Sequence, residues 1–288
     1  MSLTLNELAD YVEQYYGPWK LDLFFKQNSQ LRQEKPEVIQ KNFFDYGLNY
    51  SSKLFRDCLM GAFKEIIRPQ IKNNQKTNSN SKKKTKILSL PCSSGEEVFS
   101  LTTLLLDERI NDFQITGMDI SERMVTIAKE GKQIMNLGRV RRIEEKFVQY
   151  LKNKYFFFNQ NRYPHPNFVI SDKIKEKCDF YVHDILQSKI EEQYNIIICA
   201  NLLVYLTDKG RRRTIENLTA NMAEKNILIL GKINPITPPG EIVGRINRGT
   251  RAEIKKIMDY NRFITSLEKN GLNLNKINDK YNVYCKNI

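Results

Sequence analysis

The stretch Lys86–Glu97, Lys-Ile-Leu-Ser-Leu-Pro-Cys-Ser-Ser-Gly-Glu-Glu, constrains the fold more than any other part of the chain. Ile87, Leu88 and Leu90 form a short apolar run that reads as a buried strand. A turn of small residues, Cys92-Ser93-Ser94-Gly95, follows. An amphipathic helix then opens at Glu96 and Glu97 and carries Val98, Phe99, Leu101, Leu104 and Leu105 inward. Ser93 and Ser94 each have a glutamate three residues later, the spacing of a reciprocal cap at a helix start. Strand, small-residue turn and helix make the first half of a nucleotide-binding α/β unit. There the turn lets a ligand approach the backbone, and the helix N-terminus offers free N–H groups. The dinucleotide fingerprint is absent, since Pro91 stands where its first glycine belongs and no third glycine follows. Two carboxylates at the mouth repel a pyrophosphate and suit hydroxyl donors or a cation. S-adenosyl-L-methionine, with its sulfonium, amino group and ribose hydroxyls, fits that pattern better than NAD or ATP.

Pro91-Cys92-Ser93-Ser94-Gly95-Glu96-Glu97-Val98-Phe99-Ser100-Leu101 also resembles the GCSTGEEPYSLA signature of the CheR-type chemotaxis receptor methyltransferases. Serine replaces threonine, phenylalanine replaces tyrosine, and the leading glycine and the proline are lost. The plain alternative is an ordinary capped helix after a strand. What the resemblance implies is a class I methyltransferase: a Rossmann-like, mostly parallel α/β sheet closed by a C-terminal antiparallel hairpin, after a small helical N-terminal domain. Its cofactor is S-adenosyl-L-methionine, released as S-adenosyl-L-homocysteine. It also implies that Cys92, Ser94, Gly95, Glu96 and Glu97 line the cofactor.

The rest of the chain extends both readings. Residues 1–71 read as helical, with Leu5, Leu8, Val12, Tyr15 and Tyr16 on one helix face and Leu54, Phe55, Leu59, Phe63, Ile66 and Ile67 on another that ends before Pro69. Within them Tyr50-Ser51-Ser52-Lys53-Leu54-Phe55-Arg56 is similar to the family's N-x-T-x-F-F-R segment, which closes over the cofactor. By that likeness Ser52 and Arg56 contact the cofactor, and Arg56 holds a carboxylate of cofactor or substrate. Residues 72–86 contain no apolar side chain and read as a basic flexible linker. The remaining segment, 87–288, is the expected methyltransferase domain.

Gln114–Met118 reads as a second strand ending in Asp119, about 20 positions beyond the turn, where an acid should meet ribose hydroxyls. Gly117-Met118-Asp119-Ile120-Ser121 resembles the family's A-T-D-I-D, which adds Ile120 to the cofactor contacts. An N-cap is the other role open to Asp119, although Ser121 suits it better. Residues 138–154 place Arg139, Arg141, Arg142, Lys146, Lys152 and Lys154 on a helical stretch, and Tyr155-Phe156 resembles the start of the family's receptor-recognition insert. A third strand, Cys178–Val182, leads into His183-Asp184-Ile185, similar to the family segment that meets the adenine edge. There Asp184 would accept from the adenine amino group. The fourth strand, Tyr194–Cys199, is continuously apolar, as suits the centre of a parallel sheet. Its continuation, Cys199-Ala200-Asn201-Leu202-Leu203-Val204-Tyr205, resembles the family's C-R-N-V-L-I-Y with Ala200 in place of arginine. The likeness puts Ala200 and Asn201 against the cofactor and makes Arg56, Asn201 and Tyr205 the catalytic group. Arg211, Arg212 and Arg213 are expected on the exposed side of the next helix. After a fifth strand, Asn226–Gly231, the family's G-H-S-E is missing, and Lys232-Ile233-Asn234-Pro235 stands there instead.

The net charge of +13 favours acidic partners: an acidic protein substrate, or nucleic acid through the basic surface. The five cysteines, Cys58, Cys92, Cys178, Cys199 and Cys285, are too scattered for a zinc pattern or a disulfide framework, so no metal is expected. Glu7, Asp10 and Glu13 interrupt any secretory h-region, and no apolar run is long enough to span a membrane, which implies a cytoplasmic protein. The function these observations imply is O-methylation of a glutamate-like carboxylate of a protein. An RNA or small-molecule acceptor, or a degenerate non-catalytic binding protein, stays open beside it.

Overall fold

The computed structural model of the chain describes residues 3–17, 19–48, 54, 57–77, 84–134, 153–159, 167–220, 222, 226–231, 269, 272–277 and 281–286. The chain forms two compact units: Met1–Asn49 together with His183–Ile288, and Tyr50–Val182.

The first unit begins with α1 (Leu5–Tyr16). Its start is fixed by a capping box: Glu7 N–H donates to Thr4 Oγ1 at 3.3 Å, and Thr4 N–H donates to the Glu7 carboxylate at 2.8 Å. Leu8, Tyr11, Val12 and Tyr16 are buried, whereas Leu5, expected on that face, is 38% exposed. Helices α2 (Trp19–Gln27) and α3 (Pro36–Asn42) follow, and α3 runs into a wider turn, Phe43–Gly47. Tyr11, Phe24, Phe43 and Phe44 knit them together through edge-to-face rings, for example Phe24–Phe43 at 5.4 Å and Tyr11–Phe44 at 6.0 Å.

The second unit opens with α4 (Asp57–Ala62), a wide turn Phe63–Ile67 and α5 (Arg68–Thr77). Leu59, Phe63, Ile67 and Ile71 recur every fourth residue and are all buried. The helical run therefore does not stop before Pro69. The wide turn directly ahead of the proline loosens the hydrogen-bond ladder where its missing N–H and its ring would otherwise interrupt it. Helix α5 also takes in Lys72–Thr77, the first part of the expected linker, because one buried residue, Ile71, is enough to seat it.

From there the chain alternates strand and helix: β1 (Thr85–Ser89), α6 (Glu96–Asp107), β2 (Phe113–Asp119), α7 (Glu122–Glu130), β3 (Lys132–Ile134), β4 (Phe156–Asn159), β5 (Asn167–Ile170), α8 (Asp172–Lys175) and β6 (Cys178–Val182). β1 pairs with β2 and β2 with β6, both in parallel, with Ile87 opposite Ile115 and Gly117 opposite Phe180. A second, three-stranded antiparallel sheet, β3-β5-β4, was not foreseen in the sequence. Phe156-Phe157-Phe158 lacks the alternation that marks a half-buried strand, which hides β4 from a reading by period.

The first unit resumes with β7 (Ile196–Cys199), α9 (Asp208–Thr219), β8 (Ile227–Gly231), β9 (Leu272–Ile277) and β10 (Tyr281–Lys286). β7 and β8 are parallel, while β10 runs antiparallel to both β8 and β9, the expected closing hairpin. All four residues of β7 are buried, as its unbroken apolar run requires. Helix α9 packs directly on α1. Thr207 N–H donates to Tyr15 O at 2.9 Å and Thr207 Oγ1 donates to Gln14 O at 2.7 Å. A Cβ at Gly210 would lie 2.7 Å from Tyr15 O, so only glycine permits this approach. Among the described residues no helix is long and apolar enough to cross a membrane.

Candidate cofactor site

In the 50–182 unit the turn after β1 is held from two sides. Cys92 N–H donates to Met118 O at 2.8 Å, and Ser93 N–H donates to Asp119 Oδ2 at 2.8 Å. Ser93 and Gly95 both take the left-handed region, at φ 50° and 92°. At Gly95 a Cβ would meet the Phe99 ring at 2.7 Å, so the glycine serves the bend and the close packing together. The sharp bend makes Gly95 itself the N-cap of α6, with no side chain capping it. The reciprocal cap expected from Ser93 or Ser94 is therefore not formed. Instead Ser94 Oγ donates to Glu96 Oε1 at 2.6 Å, and Ser89 Oγ donates to Glu97 Oε1 at 2.8 Å. Glu97, at 4% exposed, is turned inward against β1 rather than standing at a mouth.

Asp119 ends β2 almost fully buried, with Ser121 N–H on Oδ1 at 3.0 Å and Ser93 N–H on Oδ2. Ser121 caps α7 through Met124 N–H, so Asp119 is not needed as the cap. The half-buried Ile120 follows Asp119. Cys92 is buried, and its thiol is pushed well up by desolvation and by the Asp119 carboxylate; it stays a neutral packing residue.

In the other unit Asp184 is held at both oxygens. Tyr11 Oη donates to Oδ2 at 2.7 Å and Leu186 N–H donates to Oδ1 at 2.9 Å. Burial pushes this carboxyl above the usual range, and hydrogen bonds from Tyr11, Leu186 and Gln187, with the neighbouring His183, oppose that rise. His183 beside it is pushed down by burial against the pull of Asp184, so it is neutral, and its buried Nε2 has no partner among the described residues. Ile185 is buried, and its carbonyl accepts from Asn217 Nδ2.

Ala200 is half-buried, and Asn201 follows it exposed, in the left-handed region at φ 63°. The next turn, Leu203–Tyr205, is anchored from α9 by Arg211, whose Nε donates to Leu203 O at 2.8 Å. Arg211 is only 6% exposed, contrary to its expected place on an open helix face; Arg212 is exposed and Arg213 half-buried. Over the Tyr205 ring sits the ammonium of Lys20, itself buried, at 5.8 Å. Tyr11, Lys20 and Arg211 are absent from the motifs. Tyr11 alone had a signal, as a hydroxyl-bearing aromatic three residues beyond Leu8 on the buried face of α1. Ser52, Arg56, Arg139, Arg141 and Arg142 lie outside the described residues. Among the described residues no cluster of histidine, cysteine and acid could hold a metal.

Parallel strands, a left-handed small-residue turn after β1 and an acid ending β2 define a Rossmann-like ligand-binding domain of the class I methyltransferase type. The chain belongs to the CheR methyltransferase family, whose S-adenosylmethionine-binding domain matches residues 51–240. A chemotaxis protein methyltransferase of Campylobacter jejuni is 28% identical over 157 residues, 54% of this chain and 56% of that protein. One from Borreliella burgdorferi is 24% identical over 267 residues, 80% of this chain and 88% of that protein. The chain thus spans little more than half the length of the Campylobacter relative. Among solved structures, magnesium protoporphyrin IX methyltransferase from Synechocystis is 13% identical, covering 86% of this chain and 96% of that one at a TM-score of 0.39.

Proposed function

We propose that this chain is an S-adenosylmethionine-dependent methyltransferase that esterifies a glutamate-like carboxylate of an acidic protein substrate in the cytoplasm. The observation that carries the choice of acceptor is the chemistry of the turn after β7. Residues 200–206 offer an amide at Asn201 and a phenol at Tyr205, and none of them titrates near neutrality. A carboxylate needs no base, because it is already anionic, whereas an amine or hydroxyl acceptor does.

Bound S-adenosylmethionine supplies an electrophilic methyl group and departs as S-adenosylhomocysteine. The chain's own residues then do positioning. In the 50–182 unit Asp119 would accept the ribose hydroxyls, the turn Cys92–Gly95 would admit the methionine end and Glu96 would face its cationic groups; in the other unit Asp184 would accept from the adenine amino group. Asn201 would orient the acceptor oxygen, and the half-buried Tyr205, with the Lys20 ammonium over its ring, would help to position it. Arg56 would hold a carboxylate of cofactor or substrate, as the family segment around it implies. Lys232-Ile233-Asn234 in place of His-Ser-Glu fits a chemistry that relies on alignment rather than on proton transfer.

The pH profile tests this reading. For a carboxylate acceptor, kcat at saturating S-adenosylmethionine should be flat between about pH 6 and pH 9, since the acceptor is ionised throughout that range. A limb rising with pH would move the reaction to an amine, an RNA base or a hydroxyl.

A further inference from the structure

We infer that Tyr11 is a positioning residue for cofactor selectivity: from α1 it orients the Asp184 carboxylate so that the site prefers a 6-amino purine to a 6-oxo purine. The inference rests on the reading that Asp184 meets the adenine amino group. It adds a residue that lies 173 positions away in the chain and outside every motif discussed above.

The geometry is specific. Tyr11 lies on the buried face of α1, 9% exposed, and its ring is boxed by Tyr15 at 5.2 Å and Phe44 at 6.0 Å. The hydroxyl reaches Asp184 Oδ2 at 2.7 Å while Leu186 N–H holds Oδ1 at 2.9 Å. One donor on each oxygen removes the freedom of the carboxylate to rotate. Both donors, together with the Gln187 side chain, favour the ionised form, so what a ligand meets is a carboxylate edge fixed in orientation that can only accept. A 6-amino group donates to it. A 6-oxo group sets an acceptor against an acceptor, and a carboxylate pinned on both oxygens cannot turn to relieve it. Buried polar groups left unmatched are what give sites their strongest discrimination. Without the tyrosine hydroxyl, burial favours protonation of Asp184, and a neutral, rotatable carboxyl can donate to a 6-oxo group.

Calorimetric titration with S-adenosylhomocysteine and with its deaminated analogue, S-inosylhomocysteine, gives the preference as a ratio of two dissociation constants. Because both ligands meet the same preparation, any unfolded fraction cancels from the ratio. Tyr11→Phe, which keeps the ring and removes only the hydroxyl, should lower the preference by about tenfold, the equivalent of one charge-assisted hydrogen bond. Phe44→Leu, which disturbs the same packing and leaves the hydroxyl, should lower stability and leave the ratio unchanged. An unchanged ratio in Tyr11→Phe, or an equal loss of ratio in Phe44→Leu, overturns the assignment to Tyr11. Asp184→Ala separates the underlying reading: it should abolish the preference, and if the preference survives, Asp184 does not meet the purine at all.

Discussion

At Asp119 the structure adds a second task to the one expected from the sequence. From the sequence it is a ribose ligand, and its removal is expected to cost only affinity. The structure adds that both of its oxygens are taken by backbone N–H groups, at Ser93 and Ser121, inside a buried site. Asp119→Ala should therefore weaken S-adenosylmethionine by at least about tenfold and also destabilise the free protein by on the order of 2 kcal/mol. Calorimetric titration and scanning calorimetry measure the two separately; an unshifted melting temperature would refute the structural task. Asp184 makes a prediction about pH. Burial raises its folded-state pKa above the ordinary 3.8, so the folded protein binds more protons than the unfolded one across the interval between the two values. Stability from this group is thus greatest below that interval and is lost as pH rises through it, and Asp184→Asn should flatten that slope in denaturant titrations. Asp119 stood out by its place at the end of β2, about 20 positions beyond the turn, and Asp184 by the likeness of its segment to the family's. Neither signal could identify Tyr11 or Arg211, whose partners are distant in the chain and come into reach only in the folded unit.

The turn Asn201–Thr207 shows how elements share the work. Arg211 from α9 holds its middle through Leu203 O, and Thr207 ties its end to the last carbonyls of α1. Replacing Arg211 by methionine leaves a buried carbonyl short of a donor and should cost about 1–3 kcal/mol. Because that strain falls on the turn, kcat should drop more than cofactor affinity; equal losses would contradict the assigned role. Gly210→Ala should push α9 from α1 and destabilise by roughly 1–3 kcal/mol, readable as a lower denaturation midpoint with unchanged slope. Strands β1 and β7 were legible as apolar runs, and β2, β6, β8 and the hairpin by their place in the strand–helix order and their likeness to the family. The sheet β3-β5-β4 was not, since its strands are three or four residues long and pair out of chain order. The start of α6 was legible, but not its cap, because a left-handed glycine outcompetes serine once Phe99 packs against the bend.

For the whole chain the largest unassigned quantity is its charge, +13. If it draws in an acidic protein, activity should fall steeply between low and physiological salt while cofactor affinity hardly moves, because exposed charges are screened beyond about 8 Å. Retention on RNA, with log affinity falling linearly against log salt, would point to a nucleic-acid partner instead. Composition made the charge plain and could not give its distribution, since Arg211 turned out to be a buried strut. The central claim, transfer of a methyl group to a protein carboxylate, is tested most directly by the bond that is made. Protein labelled from tritiated S-adenosylmethionine should release its label as volatile methanol under mild alkali, as a methyl ester must. Label that stays on the protein through alkali, or that appears on RNA, would contradict it.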